Sequence, residues 1–349
     1  MTVSFFDGHN DMLLRLWLHD DWGAAAFLES DGSGHIDRER MAAGRMTGGF
    51  FAIFIPADKR KMLAVGPIEQ KHALTQCLEM IDIFDLICET DFAPCREKSD
   101  VGRKTGKTPD KTPGKTPSKT PDRIGAVLHI EGAEMISDNL DELDILYQRG
   151  VRSIGPLWSR SNIFGHGAPF SFPGSPDQGD GLTDAGKALI AACDERRILV
   201  DLSHLNEAGF WDVAACSARP LMATHSNAHA LCPAPRNLTD RQIDAIAERG
   251  GIVGACFASS YLRDDGRKLA DTPLEVILRQ LDHLVSRLGE DGVGLGSDFD
   301  GAVIPAAIGD CSGLPALGEA MLANGFGTEL TQKICAGNWQ RFLRENLPD

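Results

Sequence analysis

The sequence predicts an α/β protein of the (β/α)8 TIM-barrel class, with a metal site at the C-terminal ends of its strands. Three observations predict this fold: eight short apolar runs, amphipathic segments between them, and metal-binding residue types directly after five of the runs. Parallel strands covered by helices on both faces are near-continuously apolar. A doubly wound open sheet would show the same alternation of strands and helices. The polar residues at the strand ends favour the barrel, because barrel enzymes carry their catalytic residues there.

The strands and helices can be assigned from apolar runs and capping residues. The strand candidates are Val3–Phe6, Gly49–Ile55, Gly125–Ile130, Val151–Gly155, Ile198–Leu202, Pro220–Thr224, Gly251–Phe257 and Gly292–Gly296. Asn206 is placed to cap a helix over EAGFWDVAAC, and Thr239 or Asn237 to cap DRQIDAIAER, which stops at Gly250. Pro273 falls in the predicted first turn of LEVILRQLDHLVSRLG.

Composition restricts the class of protein. The chain has 349 residues, of which 42% are hydrophobic and 24% charged, and its net charge is −15. These values predict a single globular domain over residues 1–349 and argue against a nucleic-acid partner, which would require clustered basic residues. We expect no membrane span, signal peptide or lipid anchor. Nine scattered cysteines without CxxC pairs are typical of buried thiols in a reducing cytoplasm.

One segment departs from the rest of the chain. Residues 103–122 repeat Lys-Thr-Pro every four residues and offer nothing apolar to bury. Proline at this density denies the backbone its ladder hydrogen bonds, so we expect a mobile, basic surface insertion. Gly106-Lys107-Thr108 is not a phosphate loop, because the preceding Gly102 is one residue too close and no strand precedes it.

Candidate metal ligands follow five of the eight predicted strands. The segments are DGHND (7–11), HIEG (129–132), DLSH (201–204), THSN (224–227) and GSDFDG (296–301). His9 and Asp11 are two residues apart, so both can face the same way on an extended chain. Any one of these residues could be a helix cap or a turn residue. Capping does not require histidine, however, and three imidazoles with three carboxylates suit zinc or a similar divalent ion.

The segments DGHND, IEGAE, VDLSH, ATHSNAHAL, PRNLTDRQIDAIAERGGIVG and GVGLGSDFDG resemble the signature blocks of the membrane (renal) dipeptidase family of zinc metallopeptidases, in the amidohydrolase superfamily. The blocks run in family order from residue 7 to residue 301 and leave out the Lys-Thr-Pro insertion. The combination of PRNLTD with GSDFDG is distinctive. The resemblance therefore implies a metal-dependent dipeptidase.

The resemblance also implies roles for individual residues. Its implied ligands of two zinc ions are His9 and Asp11 on the first, Glu131 bridging both, His204 and His225 on the second, and Asp298 on the first. A zinc-bridging hydroxide would attack the scissile carbonyl, and Asp298 would pass its proton to the leaving amine. Arg236, in PRN, is similar to the residue that binds the substrate carboxylate.

The loop after the fourth predicted strand departs from the family pattern. Many members place a histidine there that contacts the substrate carbonyl, whereas Trp158 occupies the corresponding position in this sequence. His166, further along the same loop, is the alternative. This difference bears on substrate range more than on metal binding, and we expect Trp158 to line the mouth of the active site.

Two other functions compete with hydrolysis of dipeptides. One is another amidohydrolase reaction, such as deacylation of N-acyl amino acids, and the other is a catalytically silent metal-binding protein. The presence of Asp298 beside every ligand position argues against the silent protein. The resemblance further implies a homodimer and tolerance of a D-residue at the C-terminal position of the dipeptide.

Overall fold

The strands of the protein form one parallel sheet, seen in a computed structural model that describes residues 2–19, 23–57, 66–103 and 123–349. In this part of the chain the strands are β1 (Phe5–Asn10), β2 (Met46–Phe54), β3 (Phe92–Pro94), β4 (Ile124–Glu131), β5 (Val151–Gly155), β6 (Leu199–Val200), β7 (Met222–Ala223), β8 (Ile252–Cys256) and β9 (Val293–Gly296). Their order is β6-β5-β4-β2-β1-β9-β8-β7, with β3 also paired to β4.

A bridge between the two ends of this order completes the ring. Asp201, directly after β6, pairs in parallel with Met222 of β7, and the Leu202 amide donates to the Met222 carbonyl at 2.9 Å. The predicted (β/α)8 barrel is therefore confirmed, and the doubly wound open sheet is excluded. β3 lies outside the ring, because it pairs with residues 124–126 of β4 while β5 pairs further along the same strand.

Helices fill the connections between strands. The described helices are α1 (Met12–Leu18), α2 (Ala24–Leu28), α3 (Arg38–Ala43), α4 (Gln70–Cys88), α5 (Asp141–Gln148), α6 (Asp184–Arg196), α7 (Glu207–Cys216), α8 (Asp240–Glu248), α9 (Ser259–Leu262), α10 (Leu274–Leu288), α11 (Leu314–Ala323), α12 (Gly327–Gln332) and α13 (Asn338–Asn346). Asn206 caps α7 by accepting from the Gly209 amide, and Thr239 forms a reciprocal capping box with Gln242 at the start of α8. Pro273 precedes α10 by one residue, where its missing N–H costs no helical hydrogen bond.

The part of the barrel interior nearer the amino-terminal ends of the strands is filled with apolar side chains. Phe6, Phe50, Val127 and Leu199 belong to one buried cluster with Trp339 of α13. The Trp339 ring donates from Nε1 to the Leu295 carbonyl of β9 at 2.8 Å, which fixes α13 across the amino-terminal end of the strands. This apolar floor leaves the carboxyl-terminal end of the barrel as the place for polar groups.

β4 shows the change from apolar floor to polar mouth along a single strand. Its alternate residues Val127, His129 and Glu131 are all buried and point the same way, as the two-residue period of a strand requires. Glu131, the last residue of β4, therefore lies at the carboxyl-terminal mouth.

All eight predicted strands are found, with differences at their ends, and the described residues contain a ninth strand, β3. β1 continues four residues beyond the predicted Phe6, so that His9 lies inside the strand. β3 was not predicted, because three residues ending in proline carry no strand pattern. The predicted insertion at 103–122 lies outside the described residues from position 104 onward.

Two further expectations concern membranes and thiols. Among the described residues, we find no helix with both the length and the hydrophobicity needed to cross a lipid bilayer. All nine cysteines are described and are free thiols. Seven of them are buried as expected, while Cys88 is half-buried and Cys216 is exposed.

Candidate metal centre

The six predicted metal ligands meet at the carboxyl-terminal mouth of the barrel. Three overlapping groups have ligand atoms within 4.8 Å of one another, and together they contain all six residues: His9, Asp11 and Glu131; Glu131, His204 and His225; and His9, His225 and Asp298. The residues come from the ends of β1, β4, β6, β7 and β9, so only the closed barrel brings them together. Five of them are buried, and Asp298 is half-buried at the edge of a cavity.

One carboxylate oxygen lies at the centre of the group. Glu131 Oε1 is 2.8 Å from His204 Nε2, 3.5 Å from His225 Nε2 and 3.7 Å from His9 Nε2. His9 Nε2 is in turn 3.7 Å from Asp11 Oδ2. The Nε2 atoms of His204 and His225 approach each other to 3.2 Å. Three imidazole nitrogens therefore converge on one oxygen of Glu131.

The pKa values of the candidate ligands indicate that the closely packed carboxylates are stabilised by positive charge. Burial raises the pKa of Glu131 well above its usual range, and burial with the neighbouring Asp11 raises the pKa of Asp298 to about 6. Burial alone would lower the pKa of His9, but Glu131 and Asp11 raise it to about 10. Carboxylates packed this closely in a buried site must hold protons or bind metal ions.

A hydrogen-bond network fixes the orientation of His225. Asp201 accepts from the Thr224 hydroxyl at 2.7 Å and from the Thr224 amide at 2.8 Å. Because the Thr224 hydroxyl gives its only proton to Asp201, its oxygen accepts from His225 Nδ1 at 2.9 Å. The His225 ring therefore carries its proton on Nδ1 and presents the Nε2 lone pair to the centre.

A hydroxyl also contacts the neighbouring imidazole of His204, and Asp201 anchors the turn that carries it. The Ser159 hydroxyl lies 3.1 Å from His204 Nδ1. Asp201 accepts from the hydroxyl of Ser203 at 2.7 Å, and Ser203 directly precedes His204. One buried carboxylate thus ties together the two loops that carry His204 and His225.

Asp7 performs the equivalent task between β1 and β9. It accepts from the Ser297 amide at 2.7 Å and from the Ser297 hydroxyl at 2.8 Å, across 290 residues of sequence. The Asp298 amide donates to the His9 carbonyl at 3.0 Å. These contacts place Asp298 beside His9 and Asp11. Sequence reasoning missed Asp7 and Asp201, although each lies within three residues of a predicted ligand.

The backbone at Asp298 is unusual and leaves little room. Asp298 and Asp300 have φ values of 59° and 67°, in the left-handed region that aspartate tolerates better than most residues. A Cβ on Gly301 would lie 2.1 Å from an Asp11 oxygen and 2.5 Å from an Asp298 oxygen. Only glycine fits there, so the sequence DFDG is explained by a tight turn packed against two carboxylates.

A cavity of 380 Å³ opens next to these ligands. The described residues that line it include Asp11, Glu131, His204, His225 and Asp298, together with Arg236, Trp158, Phe54, Phe170, Tyr261 and Lys268. Its volume suits a small molecule. The metal-ligating side of the cavity is polar, and the loop after β5 contributes an aromatic wall.

Arg236 lies in this cavity with unused hydrogen-bond donors. It is 2% exposed, and its Nε and Nη1 have no hydrogen-bond partner within the described residues. Its Nη2 donates to the His225 carbonyl at 3.3 Å, and its guanidinium carbon lies 5.4 Å from the centre of the Tyr261 ring. A buried guanidinium with free donors beside a cavity is suited to an anionic ligand.

The structure separates Trp158 from the other candidates on its loop. Trp158 lines the cavity, and its ring centre lies 5.9 Å from that of His204 and 5.0 Å from that of Phe170. His166 is half-buried and is not among the described lining residues. Arg160, a second cation of this loop, is buried with its Nε 2.9 Å from Glu134 Oε1 and also lies outside the lining.

The residues present fit a divalent metal centre. Both ring nitrogens of His9 are buried without a hydrogen-bond partner among the described residues, so the protein itself leaves that imidazole free to bind a ligand. Six convergent nitrogen and oxygen donors exceed the four that a single tetrahedral zinc takes.

Comparison with known proteins gives matches over nearly the whole chain. The family model for membrane dipeptidase (peptidase family M19) matches residues 1–347. A Klebsiella pneumoniae protein, known only as an uncharacterized protein in the pqqA 5′ region, is 49% identical over 221 residues, which cover 63% of this chain and 82% of that relative.

Two solved structures match over their full length. One is a dipeptidase, a metallopeptidase of family M19, with 45% identity, a TM-score of 0.90 and complete coverage of both chains. The other is a metallopeptidase from Rhodobacter sphaeroides liganded with a phosphinate mimic of the dipeptide L-Ala-D-Ala. It is 44% identical with a TM-score of 0.90, and the match covers 99% of this chain and 100% of that one.

Proposed function

The chain belongs to the membrane dipeptidase family, peptidase family M19, and is a metallo-dipeptidase of that family; we propose that it cleaves dipeptides at a centre of two zinc ions, with Arg236 binding the substrate's C-terminal carboxylate. The structure from Rhodobacter sphaeroides with the L-Ala-D-Ala mimic supports a substrate whose second residue has the D configuration. The proposal therefore includes dipeptides with a C-terminal D-residue.

The position of Glu131 is the single observation that carries this proposal. Its Oε1 lies within 3.7 Å of the Nε2 atoms of His9, His204 and His225, and Glu131 belongs to two of the three groups of candidate ligands. A carboxylate shared between two sets of donors is what a bridging ligand requires. We propose His9, Asp11 and Asp298 as ligands of the first ion, His204 and His225 as ligands of the second, and Glu131 as the bridge.

Metal ions at this centre would supply an activated water molecule and polarise the scissile carbonyl. The protein's own residues position the substrate and move protons. Asp298, at the cavity wall, would accept the proton of the attacking water and return it to the leaving nitrogen. Arg236 would hold the α-carboxylate through its free Nε and Nη1 donors, and Trp158 would form an apolar wall beside the substrate.

The identity of the metal, the location and the assembly of the protein complete the proposal. Zinc is favoured because three imidazoles and three carboxylates form the ligand set. A cytoplasmic location is supported by nine free thiols. We also propose that residues 1–349 form one catalytic domain and that the protein assembles as a homodimer, as the family resemblance implies.

A small substrate panel tests the proposed function. We expect the zinc-loaded protein to hydrolyse L-Ala-D-Ala or L-Ala-L-Ala and to be much slower on N-acetyl-D-alanine, which keeps the carboxylate but lacks the N-terminal amine. The Asp298→Asn variant should hydrolyse none of these compounds, because it preserves the side-chain shape but removes both the proton acceptor and a proposed metal ligand. Faster hydrolysis of the N-acetyl compound would indicate a deacylase. Hydrolysis of none of the three would indicate a silent metal-binding protein.

A further inference from the structure

Lys268 lines the same cavity and has no role in the function proposed above. Its side chain is exposed at the cavity mouth, and no hydrogen bond or ion pair to it occurs within the described part of the chain. Most basic residues near it are paired: Arg263 holds Asp265 through two hydrogen bonds, and Arg267 lies 4.0 Å from the same carboxylate. Lys268 is therefore a free positive charge facing the substrate space.

The other charges of the cavity lining have partners in the proposed function or in the structure. Of the described lining residues, four carry carboxylates, and three of these belong to the proposed ligand set. The fourth, Asp300, has its Oδ2 3.0 Å from Arg15 Nε and accepts from the His35 amide. The described cations of the lining are Arg236 and Lys268. A neutral dipeptide supplies one carboxylate for Arg236 and leaves Lys268 unmatched.

The loop that carries Lys268 is held in a defined shape. The Arg267 amide donates to Asp265 Oδ1 at 3.0 Å, and the Gly266 amide donates to the Arg263 carbonyl at 3.1 Å. Gly266 has a φ of 63°, and a Cβ there would lie 2.4 Å from the Phe172 ring. The loop after β8 thus packs against the loop after β5, and Lys268 is presented to the cavity from a supported turn.

Lys268 and Arg236 line the same cavity, and Tyr261 lines it as well. The Arg236 guanidinium carbon lies 5.4 Å from the centre of the Tyr261 ring, and Tyr261 stands seven residues before Lys268 in the segment after β8. Because the cavity has a volume of 380 Å³, a substrate residue whose α-carboxylate binds Arg236 can direct its side chain toward this segment.

We propose that Lys268 binds a side-chain carboxylate, so that the enzyme prefers dipeptides with a C-terminal aspartate or glutamate over those with the neutral amide isosteres. This proposal rests on the proposed dipeptidase function and names the substrate class of the same site. An ion pair exposed to solvent contributes up to about 1 kcal/mol, which corresponds to a preference of about fivefold in kcat/KM.

Isosteric substrate pairs test the proposal. The values of kcat/KM are measured for L-Ala-D-Glu against L-Ala-D-Gln and for L-Ala-L-Glu against L-Ala-L-Gln, so that configuration does not decide the outcome. The parent enzyme should favour the glutamate substrate about fivefold in the configuration that it accepts. Lys268→Met keeps most of the aliphatic stem and should bring this ratio to about one.

Arg267→Met is the matched control, because it removes the same charge from the same loop at a side chain outside the described lining. It should keep the parent's preference. Equal rates for glutamate and glutamine substrates, or an equal loss of preference in both variants, would overturn this proposal while leaving the dipeptidase function intact. Failure to cleave any dipeptide, L-Ala-D-Ala included, would overturn both.

Discussion

Replacing Arg236 by alanine should separate binding of the substrate carboxylate from the rest of catalysis. The guanidinium is 2% exposed and keeps Nε and Nη1 free, so a bound carboxylate would gain charge-assisted hydrogen bonds away from bulk water. A hydrogen bond to a charged group contributes about 1.5–3 kcal/mol. The Arg236→Ala variant should therefore lose about one to two orders of magnitude in kcat/KM.

The assay compares a dipeptide with its C-terminal amide. The parent enzyme should discriminate strongly against the amide, and Arg236→Ala should lose most of that discrimination. Arg236→Lys should recover only part of it, because an ammonium cannot reproduce the planar pair of donors. Arg241→Ala is a suitable control, since Arg241 stacks on Trp211 and is not among the described lining residues. If parent and Arg236→Ala prefer the free acid by the same factor, the assignment of Arg236 is refuted.

Three further predictions concern the surroundings of the centre. Asp201→Asn should weaken zinc affinity about 10- to 100-fold in a competitive chelator titration, because the Thr224 hydroxyl loses the carboxylate oxygen that accepts its proton. Thr224→Ser keeps the hydroxyl and should keep the parent affinity. Unchanged affinity in Asp201→Asn would contradict the proposed hydrogen-bond network. Trp158→His should change relative rates across a dipeptide panel while zinc content stays constant; identical substrate profiles would show that Trp158 does not shape the site. Replacing residues 104–122 by a short Gly-Ser bridge should leave Tm and kcat/KM nearly unchanged. The reason is that Arg123, the described residue after this segment, precedes β4 at the opposite end of the strand from Glu131. Failure to fold, or much weaker substrate binding, would assign those residues a role.

The metal ligands could be predicted from the sequence because their chemistry repeats at a recognisable place. His9, Glu131, His204 and Asp298 each stand at the end of an apolar run, and the barrel brings all such ends to one mouth. The predicted caps Asn206 and Thr239 followed from local hydrogen bonding alone, which is why they agree with the structure.

What the sequence could not predict depends on contacts between distant segments. Asp7 and Asp201 are aspartates near strand ends, as some of the ligands are, but their side chains hydrogen-bond to neighbouring loops. Asp7, for example, accepts from Ser297 across 290 residues of sequence. The sequence predicted Trp158 at the cavity but left His166 as an alternative, because the choice between them depends on the path of an irregular loop. Lys268 follows α9 in a polar loop whose composition gives no sign that one lysine faces the substrate space.

The bound metal content, measured together with activity, tests the central claim most directly. The protein is stripped with a chelator and titrated with zinc, while bound zinc is measured by mass spectrometry and hydrolysis of L-Ala-D-Ala is followed in the same samples. We predict that the parent binds about two ions per chain and reaches full activity only with both, and that Glu131→Ala loses both zinc affinity and activity. Full hydrolysis by the stripped protein, or full activity with a single ion bound, would contradict the two-ion centre bridged by Glu131.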